Sequence, residues 1–304
     1  MLIECVPNIS EGRRPEVIQA VVSALADIPN ATLIDQSSDP DHNRTVLTLV
    51  GTPEGLQGAI CAIYTVALAT IDLRRQQGAH PRMGAVDVAP FIPLGDTSMG
   101  DCIALSRVVG RQIAEEFDIP VFLYAKSSIS TTRRKLADIR KGGFEAMAAK
   151  LADPAWRPDF GPATPHPWLG VSAVGARPFL IAYNIQLDSP DPLVARSIAR
   201  AVRESSGGLP FVQAMGVYLP ARNQAQVSMN LLDFEKTPLS RVFEAVKAEA
   251  ALRGVKVAGS EIVGLIPQAA IDSTAPADLL IENWHPNLIL ENAIREKISA
   301  HRNG

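Results

Sequence analysis

The sequence predicts an α/β chain made of two consecutive strand-helix-strand-strand-helix-strand units, and three observations carry that prediction. Apolar, β-branched runs alternate with stretches whose apolar residues recur at helical spacing. The same order of elements occurs before and after a stretch rich in proline and glycine, residues 154–175. With 304 residues, 47% hydrophobic and 20% charged, the chain can bury two cores of ordinary size and is not disordered.

Ile3 to Val6 reads as a short strand ending in Pro7-Asn8-Ile9-Ser10-Glu11-Gly12. Pro15 suits a helix start, and Val17, Val21, Ala24 and Leu25 follow at helical spacing. Thr32 to Asp35 is the next strand, with a polar loop from Gln36 to Asn43, and Thr45 to Val50 a β-branched third, closed by Gly51. Pro53 opens a helix with Leu56, Ile60, Ile63, Ala67 and Ile71 on one face. Ala85 to Ile92 completes the first unit, and a helix over Asp101 to Phe117 and a strand over Val121 to Ala125 are added to it. That order is the split βαβ signature of a ferredoxin-like sheet with helices on one face.

From Lys126 to Lys141 the chain turns basic, with Arg133, Arg134, Lys135, Arg140 and Lys141 expected on a solvated helix face, and a weak helix runs on to Leu151. Pro154 to Gly175 is expected to be a loop without an element of its own, and loops of that length are functional or act as linkers. The second unit follows: strand Phe179 to Gln186, helix Pro192 to Glu204, strands Phe211 to Leu219 and Ala225 to Leu231, helix Leu239 to Leu252 and strand Val255 to Ile266. A helical tail covers Leu288 to Ala300. The units share order more than residues, so the repeat is architectural. The boundary falls near Arg177, giving domains 1–177 and 178–304.

Composition excludes several function classes. A net charge of −3 with both signs interspersed argues against a nucleic-acid surface. No stretch approaches the roughly 20 apolar residues of a membrane span, and the N-terminus lacks the pattern of a signal peptide. Cys5, Cys61 and Cys102 lie far apart without metal-ligand spacing, and the His, Asp and Glu spacings form no metal set. A cytoplasmic protein without a metal is expected.

The stretch Gly78-Ala-His-Pro-Arg-Met-Gly-Ala-Val-Asp87 holds the leading candidate. His80 stands where a polar helix end gives way to an apolar strand, a position from which an imidazole can transfer protons. The bland alternative is a histidine at a helix end, bonding a carbonyl. Arg82, Asp87 and the flanking glycines and prolines bring the catalytic role level with that alternative, because glycine admits a ligand close to backbone and proline holds the ring's course. In Ser37-Ser38-Asp39-Pro40-Asp41-His42-Asn43-Arg44 most residues suit an Asx-rich turn. Arg44, just before an apolar strand, suits a two-pronged pair with a ligand carboxylate. Asp159 to Gly170 is either a proline-stiffened linker or, with Phe160, His166 and Trp168, a flat-walled surface for a heteroaromatic ring. These residues alone lead to a two-domain α/β enzyme with a histidine-centred cleft and no stated reaction.

Glu4 to Gly12, Asn43-Arg44-Thr45, His80 to Pro93, Pro158 to Pro162, Gly175-Ala176-Arg177, Asn230 to Phe234 and Gly264 to Pro267 together resemble the glutamate formimidoyltransferase family, in order and over nearly the whole chain. The resemblance implies two ferredoxin-like α/β subdomains with a ligand groove between them. It implies transfer of a formimino group from N-formimino-L-glutamate to N5 of tetrahydrofolate, a co-substrate, with release of glutamate in histidine breakdown. The family's catalytic histidine falls on His80. Its folate-binding loop falls on Gly161, Pro162, Ala163, Thr164, Pro165, His166, Pro167, Trp168, Leu169 and Gly170. Substrate contacts are expected from Asn8, Asp39, Asp41, His42, Arg44 and Arg82, with a carboxylate orienting the cationic formimino group and the arginines holding glutamate. Where some members carry an acidic residue before Asn-Arg-Thr this chain has Ser37, and its His166-Pro167 is a further local departure. In animals the domain is fused to a cyclodeaminase, for which 304 residues leave no room, and the resemblance leaves open a separate cyclodeaminase partner; a homodimer is expected, for which the tail helix and apolar strands leave room. The rival readings are formyl transfer between 5-formyltetrahydrofolate and glutamate, and a folate-binding protein without turnover.

Overall fold

The computed structural model of the chain describes residues 1–271 and 274–303, with side chains up to residue 297. It divides into two compact units, Met1–Arg177 and Pro178–Gly304.

In the first unit, β1 (Leu2–Cys5) and β2 (Asn8–Ile9) act as one strand broken at Pro7. Both pair antiparallel with β4 (Arg44–Gly51) on one side and β5 (Val86–Leu94) on the other. Proline has no N–H for the ladder, so the break falls there, while its carbonyl still accepts from the Leu47 N–H at 3.0 Å. β3 (Ala31–Asp39) is the edge strand beyond β4. Helices α1 (Pro15–Ala26) and α2 (Pro53–Thr70) supply the two crossovers, α2 starting at Pro53 with the Thr52 hydroxyl accepting from the Gly55 N–H. These strands follow the split βαβ order expected.

The sheet continues past β5. After α3 (Met99–Phe117) come β6 (Val121–Ala125) and, far along the chain, β7 (Ser172–Ala176), which inserts between β5 and β6 and runs parallel to both. That strand overturns the expectation that 154–175 holds no element. Ser-Ala-Val-Gly-Ala carries little bulk and no β-branched pattern, yet all five residues are buried. Small side chains suit it: a Cβ on Gly175 would lie 2.4 Å from the Tyr124 carbonyl oxygen.

The expectation of helices on one face also fails at this end. Residues of α3 pack on one side of β6 and β7, in a cluster with Val121, Val174 and Ala176. On the other side Ile139 of α4 (Leu136–Arg140) and Met147 and Leu151 of α5 (Met147–Leu151) pack on Phe122, Tyr124 and Ala173. Parallel strands are covered on both faces because their backbone and apolar side chains leave neither face fit for water. The basic run is corrected as well. Arg134, Lys135 and Lys141 are exposed, but Arg133 turns inward to Asp159 and Arg140 to Asp87. The polar stretch after Asp35 is no loop until residue 40. β3 pairs with β4 as far as Asp39–Arg44, and Gln36 and Ser38 are polar because they point outward on an edge strand. Among the described residues no helix is long and apolar enough to cross a membrane.

The second unit repeats the core order. It contains β8 (Ile181–Leu187), α6 (Pro192–Val202), β9 (Val212–Leu219), β10 (Gln224–Leu231), α7 (Leu239–Ala251) and β11 (Val257–Val263). The strands form an antiparallel sheet of order β11-β8-β10-β9, and α8 (Leu290–Asn303) closes the described chain. Ile181, Tyr183, Ile185 and Leu187 of β8 share a buried cluster with Ile198 of α6 and Val242 and Val246 of α7. Successive strand residues point to opposite faces, so Ala182, Asn184 and Gln186 lie on the face away from both helices.

Candidate active site

The site grows from the four-residue turn between β3 and β4. Asn43 adopts a left-handed backbone (φ 49°), and its side chain ties two remote segments together. Its Oδ1 accepts from the Gly12 N–H at 2.9 Å and its Nδ2 donates to the Gln77 carbonyl at 2.9 Å. The Ala79 N–H donates to the Asp41 carbonyl, and Gln76 Nε2 to the Asn43 carbonyl. Gly78 is required here, since a Cβ would stand 2.2 Å from the His42 carbonyl oxygen. A non-helical stretch is thereby pinned against the turn, and it carries His80. His80 is therefore not at a helix end, since α2 stops at Thr70 and no helix intervenes before β5.

Arg44 Nη1 lies 2.7 Å from His80 Nε2. A guanidinium only donates, so Nε2 accepts and the ring proton belongs on Nδ1. Burial, above all, pushes the imidazole pKa well below its ordinary value, with the charges of Arg44, Arg140 and His42 adding to it and the Pro81 backbone opposing. The His42 ring sits 6.0 Å away, centroid to centroid, tilted by 45°. Burial, with Arg140 nearby, also lowers the Arg44 pKa to about 10 against the pull of Asp87 and Asp39, so the guanidinium keeps its charge at neutral pH. The result is a neutral imidazole beside a permanent cation.

Asp87 organises the floor of the site. Its Oδ1 accepts from the Met83 and Gly84 N–H groups at 2.7 and 3.2 Å. Its Oδ2 takes Arg140 Nε and Nη2 at 3.0 and 2.6 Å. Both partners are buried or nearly so, with side chains 4% and 13% exposed. Arg140 escaped the sequence reading because it sat in a run of charges. The signal beside it was Gly142-Gly143, both at positive φ, which turn the chain so that the Phe144 N–H reaches the Arg82 carbonyl.

Arg82 is fully engaged within the protein. It donates to Gln76 Oε1, to the Leu73 and Gln76 carbonyls and to both Glu145 oxygens. It braces the loop that carries His80. Asp39 Oδ1 accepts from the His42 N–H at 2.8 Å and so shapes the turn. Asn8 lies on β2 with its amide given to the Val6 carbonyl.

The second half of the 161–170 segment docks against the His80 stretch. The Ala85 N–H donates to the Leu169 carbonyl, and the Val171 N–H to the Met83 carbonyl. Gly170 sits at φ 74°, where a Cβ would meet the Met83 carbonyl oxygen at 2.1 Å, and one on Gly84 would meet the Val171 carbonyl oxygen at 2.0 Å. His166 Nδ1 accepts from the Leu169 N–H, and its ring meets Trp168 edge-on at 4.5 Å. Trp168 donates its indole N–H to the Leu68 carbonyl at the end of α2, under the Arg74 guanidinium. Gly161 belongs elsewhere, against the Ile119 carbonyl at the start of β6. Ala163, Thr164 and Pro167 are exposed between these anchors. Gly84→Ala is expected to force the two backbones apart and destabilise the first unit by about 1–3 kcal/mol, read as a lower urea midpoint.

Comparison with known proteins matches a family model described as the formiminotransferase domain, N-terminal subdomain, over residues 2–177, and a second, the formiminotransferase domain, over 182–302. A glutamate formimidoyltransferase of Streptococcus pyogenes serotype M1 is 44% identical over 96% of this chain and 98% of its own. One from Thermoplasma acidophilum is 40% identical over 97% and 98%. The formimidoyltransferase-cyclodeaminase of Gallus gallus is 46% identical over 89% of this chain, which spans 51% of that longer protein.

Proposed function

Because the chain belongs to the formiminotransferase family, we propose that it is a glutamate formimidoyltransferase, moving the formimino group of N-formimino-L-glutamate to N5 of tetrahydrofolate and releasing L-glutamate. The observation that carries the mechanism is the neutral His80 imidazole with Arg44 on its Nε2. Tetrahydrofolate, when bound, supplies the attacking nitrogen. His80 Nε2 accepts the proton lost in that attack and returns one to the departing glutamate nitrogen, which suits a base that is neutral at working pH. Nε2 is open to a proton only when Arg44 lets go of it. A carboxylate of formiminoglutamate is the partner that draws the guanidinium away, since a charge-assisted pair outcompetes a bond to a neutral ring. Substrate binding thus uncovers the base.

Asp39 or Asp41 holds the cationic formimino group, and His42 flanks it. Arg82 acts through the loop it braces, and Asn8 through the course of β2. The 161–170 segment offers the folate its Trp168 and His166 rings. On the family resemblance, the enzyme acts in cytoplasmic one-carbon metabolism fed by histidine degradation, as a homodimer, with a cyclodeaminase consuming its product.

A coupled assay with formiminoglutamate and tetrahydrofolate, read as glutamate release, tests the proposal. A faster reaction with the formyl donor at equal concentration would establish the formyl rival, and tight folate binding without release the non-catalytic one. Arg44→Met should raise KM for formiminoglutamate by at least about 10-fold, the loss of one charged pair. It should also move the acidic limb of kcat/KM upward toward the ordinary imidazole value of about 6.5, because one of the cations that disfavour the imidazolium is gone. Burial and Arg140 still hold the limb below that value. An unchanged limb and KM would make Arg44 a structural turn residue.

A further inference from the structure

The donor of the proposed reaction carries two carboxylates, and Arg44 can pair with only one of them. Arg82, the other arginine expected to hold glutamate, spends its guanidinium on Gln76, Leu73 and Glu145. The second carboxylate needs another cation, with a donor to spare, within reach of Arg44.

Arg140 meets that need. Its Nε and Nη2 both donate to Asp87 Oδ2, at 3.0 and 2.6 Å. A guanidinium has five N–H donors in a rigid fork, so this pair occupies one edge and leaves the Nη1 end over. Nη1 has no partner among the described residues and is not fully enclosed. Asp87 holds the fork still, which lowers the ordering cost of a bond at its open end.

The first unit's sheet puts both guanidiniums on one face. Leu47 and Leu49 of β4 share a buried cluster with Val21 of α1, Ile60 of α2 and Val109 of α3. Strand residues alternate, so Arg44 points to the opposite face. Ile139 of α4, the neighbour of Arg140, packs on that opposite face with Val88, Phe122 and Ala173. Only β2 separates the two strands there, since Asn8 pairs with Val46 of β4 and with Val88 of β5. Strand spacing sets those backbones about 10 Å apart, a gap that two arginine side chains and a short ligand fill. After burial, the charge of Arg140 is among the causes that lower the pKa of both Arg44 and His80.

We propose that Arg140 is a specificity-determining residue that pairs with the γ-carboxylate of formiminoglutamate, while Arg44 takes the α-carboxylate. The α-carboxylate is next to the departing nitrogen, and Arg44 stands against the imidazole that protonates that nitrogen. The γ-carboxylate lies three carbons further along, away from the reacting amidine. The assignment rests on the transferase reading for its ligand, and on the open end of Arg140 for its place.

Formiminoglutamine, whose γ-group is a neutral amide, tests the pairing. Wild-type kcat/KM should favour formiminoglutamate over it by about 10- to 100-fold, the worth of one charge-assisted pair. Arg140→Lys keeps a cation on Asp87 but loses the fork, and that ratio should fall by about 10-fold. Asp87→Asn with Arg140→Met leaves no isolated charge inside and should bring the two donors close to equal. Arg44→Met should slow both donors and keep the preference. A ratio held at its wild-type value in both Arg140 variants, with the two donors slowed alike, would overturn the assignment and leave Arg140 a structural partner of Asp87. So would a wild-type protein that uses the two donors equally. A wild-type protein that releases no glutamate from formiminoglutamate would instead overturn the transferase reading, and the assignment with it.

Discussion

His80→Ala is expected to slow formimino transfer in a single turnover by about 10²–10⁴-fold, the usual contribution of a positioned acid–base group. Binding of 5-formyltetrahydrofolate should be unchanged. The ring reaches its neighbours through Nε2 and the Arg44 guanidinium, so its loss removes a proton carrier and leaves the turn bonds of Asn43 intact. Near-normal transfer with intact binding would remove His80 from the mechanism. A second consequence concerns stability. With its pKa held low in the folded state, His80 stays neutral while the unfolded chain takes up a proton below about pH 6.5. Its folded-state contribution is therefore intact above that pH and is lost as pH falls from about 6.5 toward the lower folded value. Denaturant midpoints for wild-type protein should decline over that window, and less steeply for His80→Ala.

Asp87→Ala should destabilise the protein by about 3–5 kcal/mol, because it leaves the Arg140 guanidinium inside without its counter-ion. The two Asp87–Arg140 bonds join α4 to the start of β5, and Asp87 also holds the Met83 and Gly84 N–H groups. Those N–H groups belong to the stretch that follows His80, so activity should fall together with stability. Removing both charges, as Asp87→Asn with Arg140→Met, should recover most of the lost stability, since the isolated charge is what costs most. Recovered stability without recovered activity would separate the pair's two effects. Chemical denaturation of the single and double variants checks the first, and kcat/KM the second. A loss of under ~1 kcal/mol in the single variant would mean that water reaches Arg140 and the pair is a surface one.

The order of the elements around His80 was legible in the chain, but the helix end read just before it was not, since α2 stops at Thr70. Helical spacing in Leu56-Ile60-Ile63 and the β-branched run after Arg44 are local patterns, and local patterns report local structure. β7 was not legible, because Ser-Ala-Val-Gly-Ala has no period of its own. It is a strand because β5 and β6 offer it backbone hydrogen-bonding partners on both sides. Arg133 and Arg140 were misjudged for a related reason. A run of basic residues reads as solvated until the carboxylate each one meets is known, and Asp87 lies 53 residues before Arg140.

By itself the sequence determined that two βαββαβ units follow one another, and that an imidazole stands at the mouth of a core strand. The tertiary structure alone decided that imidazole's state. Arg44, 36 residues away along the chain, brings its guanidinium to Nε2, and burial with Arg140 nearby keeps the ring neutral. The physical reason is that a pKa depends on the charges and solvent around a group, and folding, not sequence proximity, arranges these.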